Sequence, residues 1–372
     1  ICIESWQDNI TRCHMKRILF VIGIMGKGGA ERVIANLSNY FVTKGWDITI
    51  VTIYGSRQDY KLNNNVYVQP INCKFRMKIL RPLERMAKLR NYVKTYNPDF
   101  VISFLADVNI HTIFSLIGLK IKLIVSERND PNRDPKSRLI RKLRDLIYRY
   151  ADGIVFQTKD AKKYFENKLT QKNKVAVIPN PIKDSLPLYD SKNAKKNVFV
   201  TACRLDIQKN LKMMIDALAV LIKNGITCYL NIYGEGPLKD ELQAYICDNN
   251  LTKYVKLCGF STNIHDNFLQ STAFVISSDY EGISNSMLEA LAIGIPVIAT
   301  DCPIGGARMY INNGVNGILV PCRDIEKLSS AMKFVLSNED KAVLMGQNAI
   351  TLRNELNSTK IADFWIEYLN SF

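Results

Sequence analysis

Apolar runs and polar breaks alternate along the chain regularly enough to predict its elements. In the first half, apolar runs predict strands over 17–24, 47–54, 100–104, 122–126, 153–157 and 175–178, separated by stretches with helical spacing. That alternation is the signature of β-α units on a parallel sheet, whose strands are buried on both faces. Pro179-Asn180-Pro181-Ile182 and the polar run to Lys196 read as a linker, after which the pattern restarts with strands over 197–203, 228–233 and 254–257. The stretch 278–300 then reads as strand end, tight loop, buried helix, glycine stop and next strand. Its helix is apolar from Met287 to Ile293 except at one position, and Gly294 followed by Pro296 ends it.

A chain of 372 residues has room for two domains with separate cores. The pattern sets them at 15–185 and 197–355, with a last helix over 356–372. Residues 1–14, before Met15, show no period and read as an extension of the natural start. The longest early apolar run, Ile18 to Met25, is too short to span a bilayer and reads as a first buried strand. Nine cysteines, an odd number without Cys-x-x-Cys, read as reduced thiols of a cytoplasmic protein.

Two carboxylates interrupt the apolar 278–300 stretch, Glu281 in the loop and Glu289 in the helix. A buried carboxylate is costly unless a charge or hydroxyls meet it, so the pair suggests a polyol ligand. Ser284, Asn285 and Ser286 leave backbone N–H groups at the helix's positive end, a seat for an anion. A purely structural alternative stays open, because Ser286-x-x-Glu289 also fits a capping box.

Charge is lopsided. Residues 1–190 hold 33 Lys and Arg against 17 Asp and Glu, while 191–372 hold 17 against 18, so the net +15 lies in the first half. Two predicted helices concentrate it. One, 74–94, interleaves Lys74, Arg76, Lys78, Arg81, Arg85, Lys88, Arg90 and Lys94 with apolar residues; the other, 136–149, sets Lys136, Arg138, Arg141, Lys142, Arg144 and Arg149 around leucines and isoleucines. One such helix reads as a solvated outer face. Two in one domain beside a neutral partner domain favour contact with an anionic membrane surface or a polyprenyl diphosphate, each basic residue contributing ~1 kcal/mol.

Further candidates sit where predicted strands end. Gly28 and Gly29 follow the first strand and open a helix, allowing close backbone approach to a phosphate, although the run is neither Gly-x-Gly-x-x-Gly nor a Walker A loop. Ser103 to His111 and Ser126-Glu127-Arg128 follow two other strands, on the usual ligand side of an open sheet. Arg204 follows strand 197–203 directly and Lys209 stands at a helix start, so both can converge on one anion. No Asp-x-Asp occurs, and three histidines and scattered cysteines give no metal-ligand spacing.

The Glu281-x7-Glu289 pattern, with Arg204 and Lys209, resembles that of the retaining GT-B glycosyltransferases of family 4, which include capsule and lipid-linked-oligosaccharide enzymes. The resemblance extends from Met15 onward. It implies an α/β fold of two Rossmann-like domains facing each other across a cleft, with the last helix crossing back to the first. It implies donor contacts at Gly28, Gly29, Arg204, Lys209, Phe260, Glu281, Gly282, Ile283, Ser284, Asn285 and Glu289. Arg204 and Lys209 would take the leaving diphosphate, Glu289 the ribose hydroxyls, Glu281 the sugar near the reacting face, and backbone at Gly259-Phe260 the nucleobase. Catalysis would fall to Glu281, Arg204 and Lys209 without metal or other cofactor. The departing phosphate would be the base for front-face attack with retention. The chain departs from many members in lacking a histidine in its two first-domain loops, which leaves Asn109, Glu127 and Arg128 as acceptor or sugar contacts, while His111 reads as packed. The implied reaction moves a hexose or N-acetylhexosamine from a UDP-sugar to an undecaprenyl-diphosphate-linked glycan, by an enzyme peripheral to the inner membrane face. A GT-B nucleotide-sugar epimerase would share the fold. A non-enzymatic basic membrane- or nucleic-acid-binding protein would also carry the charge, but no nucleic-acid motif appears.

Overall fold

A computed structural model describes residues 15–73 and 78–372, with Lys78 by its backbone alone. The strands form two sheets. The first holds β1 (Arg17–Ile22), β2 (Asp47–Thr52), β3 (Val66–Pro70), β4 (Phe100–Phe104), β5 (Lys122–Ser126), β6 (Gly153–Phe156) and β7 (Lys174–Val177), in the order β3-β2-β1-β4-β5-β6-β7. The second holds β8 (Val198–Ala202), β9 (Tyr229–Tyr233), β10 (Val255–Gly259), β11 (Ala273–Ile276), β12 (Val297–Thr300) and β13 (Ile318–Val320), in the order β10-β9-β8-β11-β12-β13. Pairs such as β1–β2, β1–β4, β8–β9 and β11–β12 run parallel and in register. The described part of residues 1–126 with 150–153 forms one compact unit, and 127–149 with 154–372 another.

The strands are legible because both faces are covered. Ile18 to Ile22 and Phe100 to Phe104 are wholly buried, as are all four residues of β11 and of β12. In the first sheet, Phe20 of β1 lies 6.3 Å from Phe41 of the helix Gly29–Thr43 and 6.2 Å from Phe104 of β4. In the second, Met214 and Leu218 from the helix Leu211–Lys223 share a core with Leu230, Ile232 and Val275 of the sheet and Leu328, Met332 and Val335 of the helix Ile325–Ser337. Each such side chain contributes about 1.5–3 kcal/mol by leaving water. β3 was not predicted: Val66-Tyr67-Val68-Gln69-Pro70 lies at the sheet edge with only Val66 buried, so no continuous apolar run announces it.

Each sheet has one point where strand order reverses, between β1 and β4 and between β8 and β11. Open parallel sheets bind ligands beyond the strand C-termini at such points, because diverging connections leave a crevice there. The loops after β8 and β11 carry Arg204 to Lys209 and Ser277 to Ser284.

Backbone shape around those loops depends on missing side chains. Gly234 has φ +134°, and a Cβ on it would lie 1.8 Å from the carbonyl oxygen of Cys203; one on Gly236 would lie 2.3 Å from that of Leu205. These contacts press the loop after β9 onto the loop after β8. A Cβ on Gly306 would lie 1.8 Å from the carbonyl oxygen of Gly282, so Gly306 buttresses the loop that holds Glu281. Gly306→Ala forces backbone apart and is expected to destabilise the fold by about 1–3 kcal/mol, read as a lower midpoint in chemical denaturation. An unchanged midpoint would show that the loop moves aside without cost.

Candidate functional site

After β8 the chain makes a short 3-10 turn, Ile207–Lys209, and Asn210 turns it into the next helix from the left-handed region, φ 42° and ψ 50°. Asn tolerates that conformation, and its side chain accepts from Met213 N. The turn aims Lys209 inward, where its ammonium donates to Glu281 Oε2. Both side chains are mostly buried, 13% and 18% exposed. Burial alone would lower the Lys209 pKa, but the carboxylate of Glu281, helped by Cys203 and Asp206, outweighs it and holds the ammonium above its ordinary range.

The loop after β11 is fastened on several sides. Ser278 Oγ donates to Glu281 Oε2 at 3.2 Å. Asp279 accepts from Asn210 Nδ2 at 2.8 Å and from Arg323 Nε and Nη2 at 2.9 and 2.8 Å, and its N–H donates to Gln208 O. Ser277 Oγ donates to the carbonyls of Lys209 and Asn210, and Cys302 Sγ to that of Ser278. The two loops thus form one rigid seat. Arg204 stands at its rim, its side chain 72% exposed and 3.7 Å from Asp206.

The helix Asn285–Ile293 begins at Ser284, whose hydroxyl accepts from Met287 N; Ser286 lies inside it and donates instead to Ala202 O of β8 at 2.7 Å. This overturns the capping-box alternative, since Glu289 lies beyond the position from which it could reach back to the cap. Its carboxylate, with Glu289 only 4% exposed, meets His265 Nε2 at 2.8 Å. His265 lies in the helix Ile264–Leu269, and no spacing in the sequence singled it out. Gly294, at φ 89°, ends the long helix as expected.

Gly282 is needed for close approach, because a Cβ would lie 2.5 Å from Gln157 Oε1 and 2.7 Å from Arg128 O. Beside it runs a buried polar chain: Arg128 Nη1 and Gln157 Nε2 both donate to Asn180 Oδ1, at 2.9 and 2.7 Å, and Asn180 Nδ2 donates to Asn285 Oδ1 at 2.7 Å. Arg128 is buried, which lowers its pKa to about 9 against the opposing pull of Glu127. Glu127 is buried as well and accepts from Tyr148 Oη at 2.9 Å. Desolvation pushes its pKa up to about 7 despite the nearby Arg144. Ile283 is buried, and the Phe260 ring is exposed after Gly259, which takes φ +71°.

In the first compact unit, Gly28 precedes the helix Gly29–Thr43 and accepts at its carbonyl from Tyr60 Oη at 2.9 Å. A Cβ there would lie 2.0 Å from Glu31 Oε2, so the helix's own carboxylate folds over the N-terminal seat. Asn109 is buried, accepting from Ser103 Oγ at 2.8 Å and donating to Ser126 O at 3.0 Å, which ties the ends of β4 and β5.

The basic helices are less uniform than their sequences. Residues 74–77 lie outside the described residues, and the helix itself is Arg81–Tyr96. Its Arg85 stacks over Tyr54 at 4.9 Å, Lys88 pairs with Glu84 at 2.7 Å, and Arg90 donates to the carbonyls of Ser115 and Ile117. In the helix Arg138–Ile147, Arg144 is fully buried, donating to Pro131 O and Asp145, so it is part of the interior and not of a basic face. The outer surface carries exposed Leu139, Ile140, Leu143 and Leu146 beside Arg138, Lys142 and Arg149. Among the described residues no helix is long and apolar enough to cross a membrane, and no group of three His, Cys, Asp or Glu side chains could hold a metal ion.

Comparison with known proteins bears on both halves. Residues 27–186 match Glycosyltransferase Family 4 and residues 190–352 match Glycosyl transferases group 1. A Campylobacter jejuni protein named GalNAc-alpha-(1->4)-GalNAc-alpha-(1->3)-diNAcBac-PP-undecaprenol alpha-1,4-N-acetyl-D-galactosaminyltransferase is 29% identical over 95% of this chain and 98% of its own. The amylovoran biosynthesis glycosyltransferase AmsD of Erwinia amylovora is 25% identical over 95% of this chain and 99% of its own. Among solved structures, Anabaena HepE in complex with UDP and glucose superposes with a TM-score of 0.82 at 18% identity, covering 96% of this chain and 100% of that one. Two parallel-sheet domains, both matched by these families and superposing on a GT-B structure, place the chain in the family 4, group 1 glycosyltransferases, and it is a glycosyltransferase.

Proposed function

We propose that the protein is a retaining, metal-independent glycosyltransferase that moves an N-acetylhexosamine or hexose from a UDP-sugar to an undecaprenyl-diphosphate-linked glycan. The observation that carries this reading is the largely buried Lys209–Glu281 pair at the β8/β11 switch point, beside the N-terminus of the helix Asn285–Ile293. Glycosyl transfer develops negative charge on a departing diphosphate and positive charge at the anomeric carbon. Lys209, Arg204 and the N–H groups at the helix start supply the first with compensation. Glu281, held by Lys209 and Ser278, supplies the second with a fixed negative charge. Because the seat is fastened before substrate arrives, little reorganisation is spent at the moment of transfer. The acceptor class is supported by the Campylobacter jejuni relative, whose name specifies an undecaprenol-linked glycan.

A lipid-linked acceptor lies at a bilayer surface, and the outer face of the helix Arg138–Ile147 fits the same place. Leu139, Leu143 and Leu146 recur at helical spacing, exposed, with Arg138, Lys142 and Arg149 flanking them. Buried apolar area and attraction of basic side chains to anionic headgroups add in such a contact. The enzyme then works on the inner face of the membrane.

Glu281→Gln, which keeps the shape of the side chain, is expected to lower kcat by roughly 100-fold or more. Lys209→Ala is expected to weaken UDP binding by about tenfold or more in calorimetry. Unchanged kinetics and binding in both would sink the assignment, and conversion of the UDP-sugar without acceptor would favour an epimerase. Transfer measured in excess EDTA is expected to keep its rate; a loss restored by a divalent cation would overturn metal independence. Replacing Leu139, Leu143 and Leu146 together with Ser should cut sedimentation with phosphatidylglycerol vesicles while leaving UDP binding unchanged, and full retention on the vesicles would place the membrane contact elsewhere.

A further inference from the structure

We infer that His265 is a positioning residue, holding the Glu289 carboxylate in the orientation that receives the ribose hydroxyls of the nucleotide donor. The inference rests on the reading that Glu289 is the ribose contact, and adds the group that makes it one.

Glu289 stands where a carboxylate is least at ease. Every residue from Met287 to Ile293 is buried, Glu289 among them. Left without a hydrogen-bond donor it would favour protonation or a rotamer reaching for water. His265 Nε2 lies 2.8 Å from Glu289 Oε2 and holds that oxygen in place. An ionised carboxylate only accepts, so in this bond Nε2 is the donor.

The imidazole is itself held in place. Its ring meets Phe268 edge-on at 5.9 Å and 71°, and Phe268 meets Phe274 of β11 at 5.1 Å and 60°. The short helix that carries it is pinned by Tyr233 Oη donating to Asn267 Oδ1 at 2.8 Å, and by Asn267 Nδ2 donating to Ser261 Oγ at 3.2 Å. His265 is therefore anchored through aromatic contacts to the sheet, at the same end as the loops after β8, β9 and β10.

The two carboxylates of the site have different partners. Glu281 meets an ammonium, Lys209, whereas Glu289 meets a single ring nitrogen of an imidazole. A vicinal diol is gripped by a carboxylate whose plane is fixed to within about 10–20°. A single ring N–H at one oxygen fixes that plane; a guanidinium would occupy both oxygens and compete with the diol.

The test measures binding of the tightest of UDP, GDP and ADP and of its 2′-deoxy and 3′-deoxy analogues by calorimetry, with donor KM and kcat measured alongside. Wild type is expected to prefer the ribonucleotide by about tenfold over at least one deoxy analogue. His265→Ala should lose that preference and raise the donor KM by about tenfold with kcat within about twofold, while His265→Gln, whose amide still donates, regains most of it. The double variant His265→Ala/Glu289→Ala should bind like Glu289→Ala alone, because the histidine acts only through the carboxylate. If His265→Ala fails to fold, His265→Leu, which packs against Phe268 but donates nothing, carries the same comparison. Preference retained without the histidine but lost in Glu289→Ala overturns the inference and leaves the ribose contact standing. A wild type indifferent to both hydroxyls overturns the ribose contact and the inference with it.

Discussion

The loops after β8 and β11 depend on keeping one largely buried ammonium charged. Desolvation acts against Lys209, and only the carboxylate of Glu281, with lesser help from Cys203 and Asp206, reverses the balance. Removing one partner of such a pair leaves a buried charge without compensation, which costs more than the pair itself contributes. The chain therefore fixes both partners by routes that do not pass through each other. Ser277 holds the backbone of Lys209 and Asn210, Asp279 is gripped by Asn210 and Arg323, and Ser278 steadies the carboxylate. Loops joined this way cannot drift apart to let water solvate the ions separately.

The same loops depend on close backbone approach. Gly234 and Gly236 let the loop after β9 lie on the carbonyls of Cys203 and Leu205, and Gly282 receives Gly306 on one side and Gln157 on the other. In the sequence only Gly282 among these glycines stands out, as an implied donor contact. Their spacing gives no hint that Gly306 answers Gly282, because that pairing arises from β12 returning beside β11.

Most of the fold was legible because burial on both faces forces continuous apolar strands, and the central ones stand out as uninterrupted runs. The edge strand β3 escaped because half-exposed alternation across five residues resembles a polar loop. The site was legible as far as its chemistry is local: Arg204, Lys209, Glu281 and the start of the helix at Ser284 all lie at strand ends. What escaped is relational. Arg144 looked like one more basic surface residue, yet its guanidinium is buried against the carbonyls of Pro131 and Asp134. Asn109 looked available at a strand end and instead bridges Ser103 and Ser126. A helical period predicts which side of a helix faces inward, but not that a carbonyl or hydroxyl waits there.

The two glutamates show the difference most sharply. Both interrupt an apolar stretch, and the sequence allowed one reading for both, a polyol ligand, with a helix cap as the alternative for the second. The helix start at Ser284 removes that alternative by register alone, since a cap interaction cannot skip to Glu289. What stands in the helix is a carboxylate that does not cap, is almost wholly buried and meets an imidazole. Burying it costs stability that an apolar residue would not. On the proposed reading that cost serves the donor's ribose, and the loops after β8 and β11, fastened around Lys209 and Glu281, lie at the same end of the sheet.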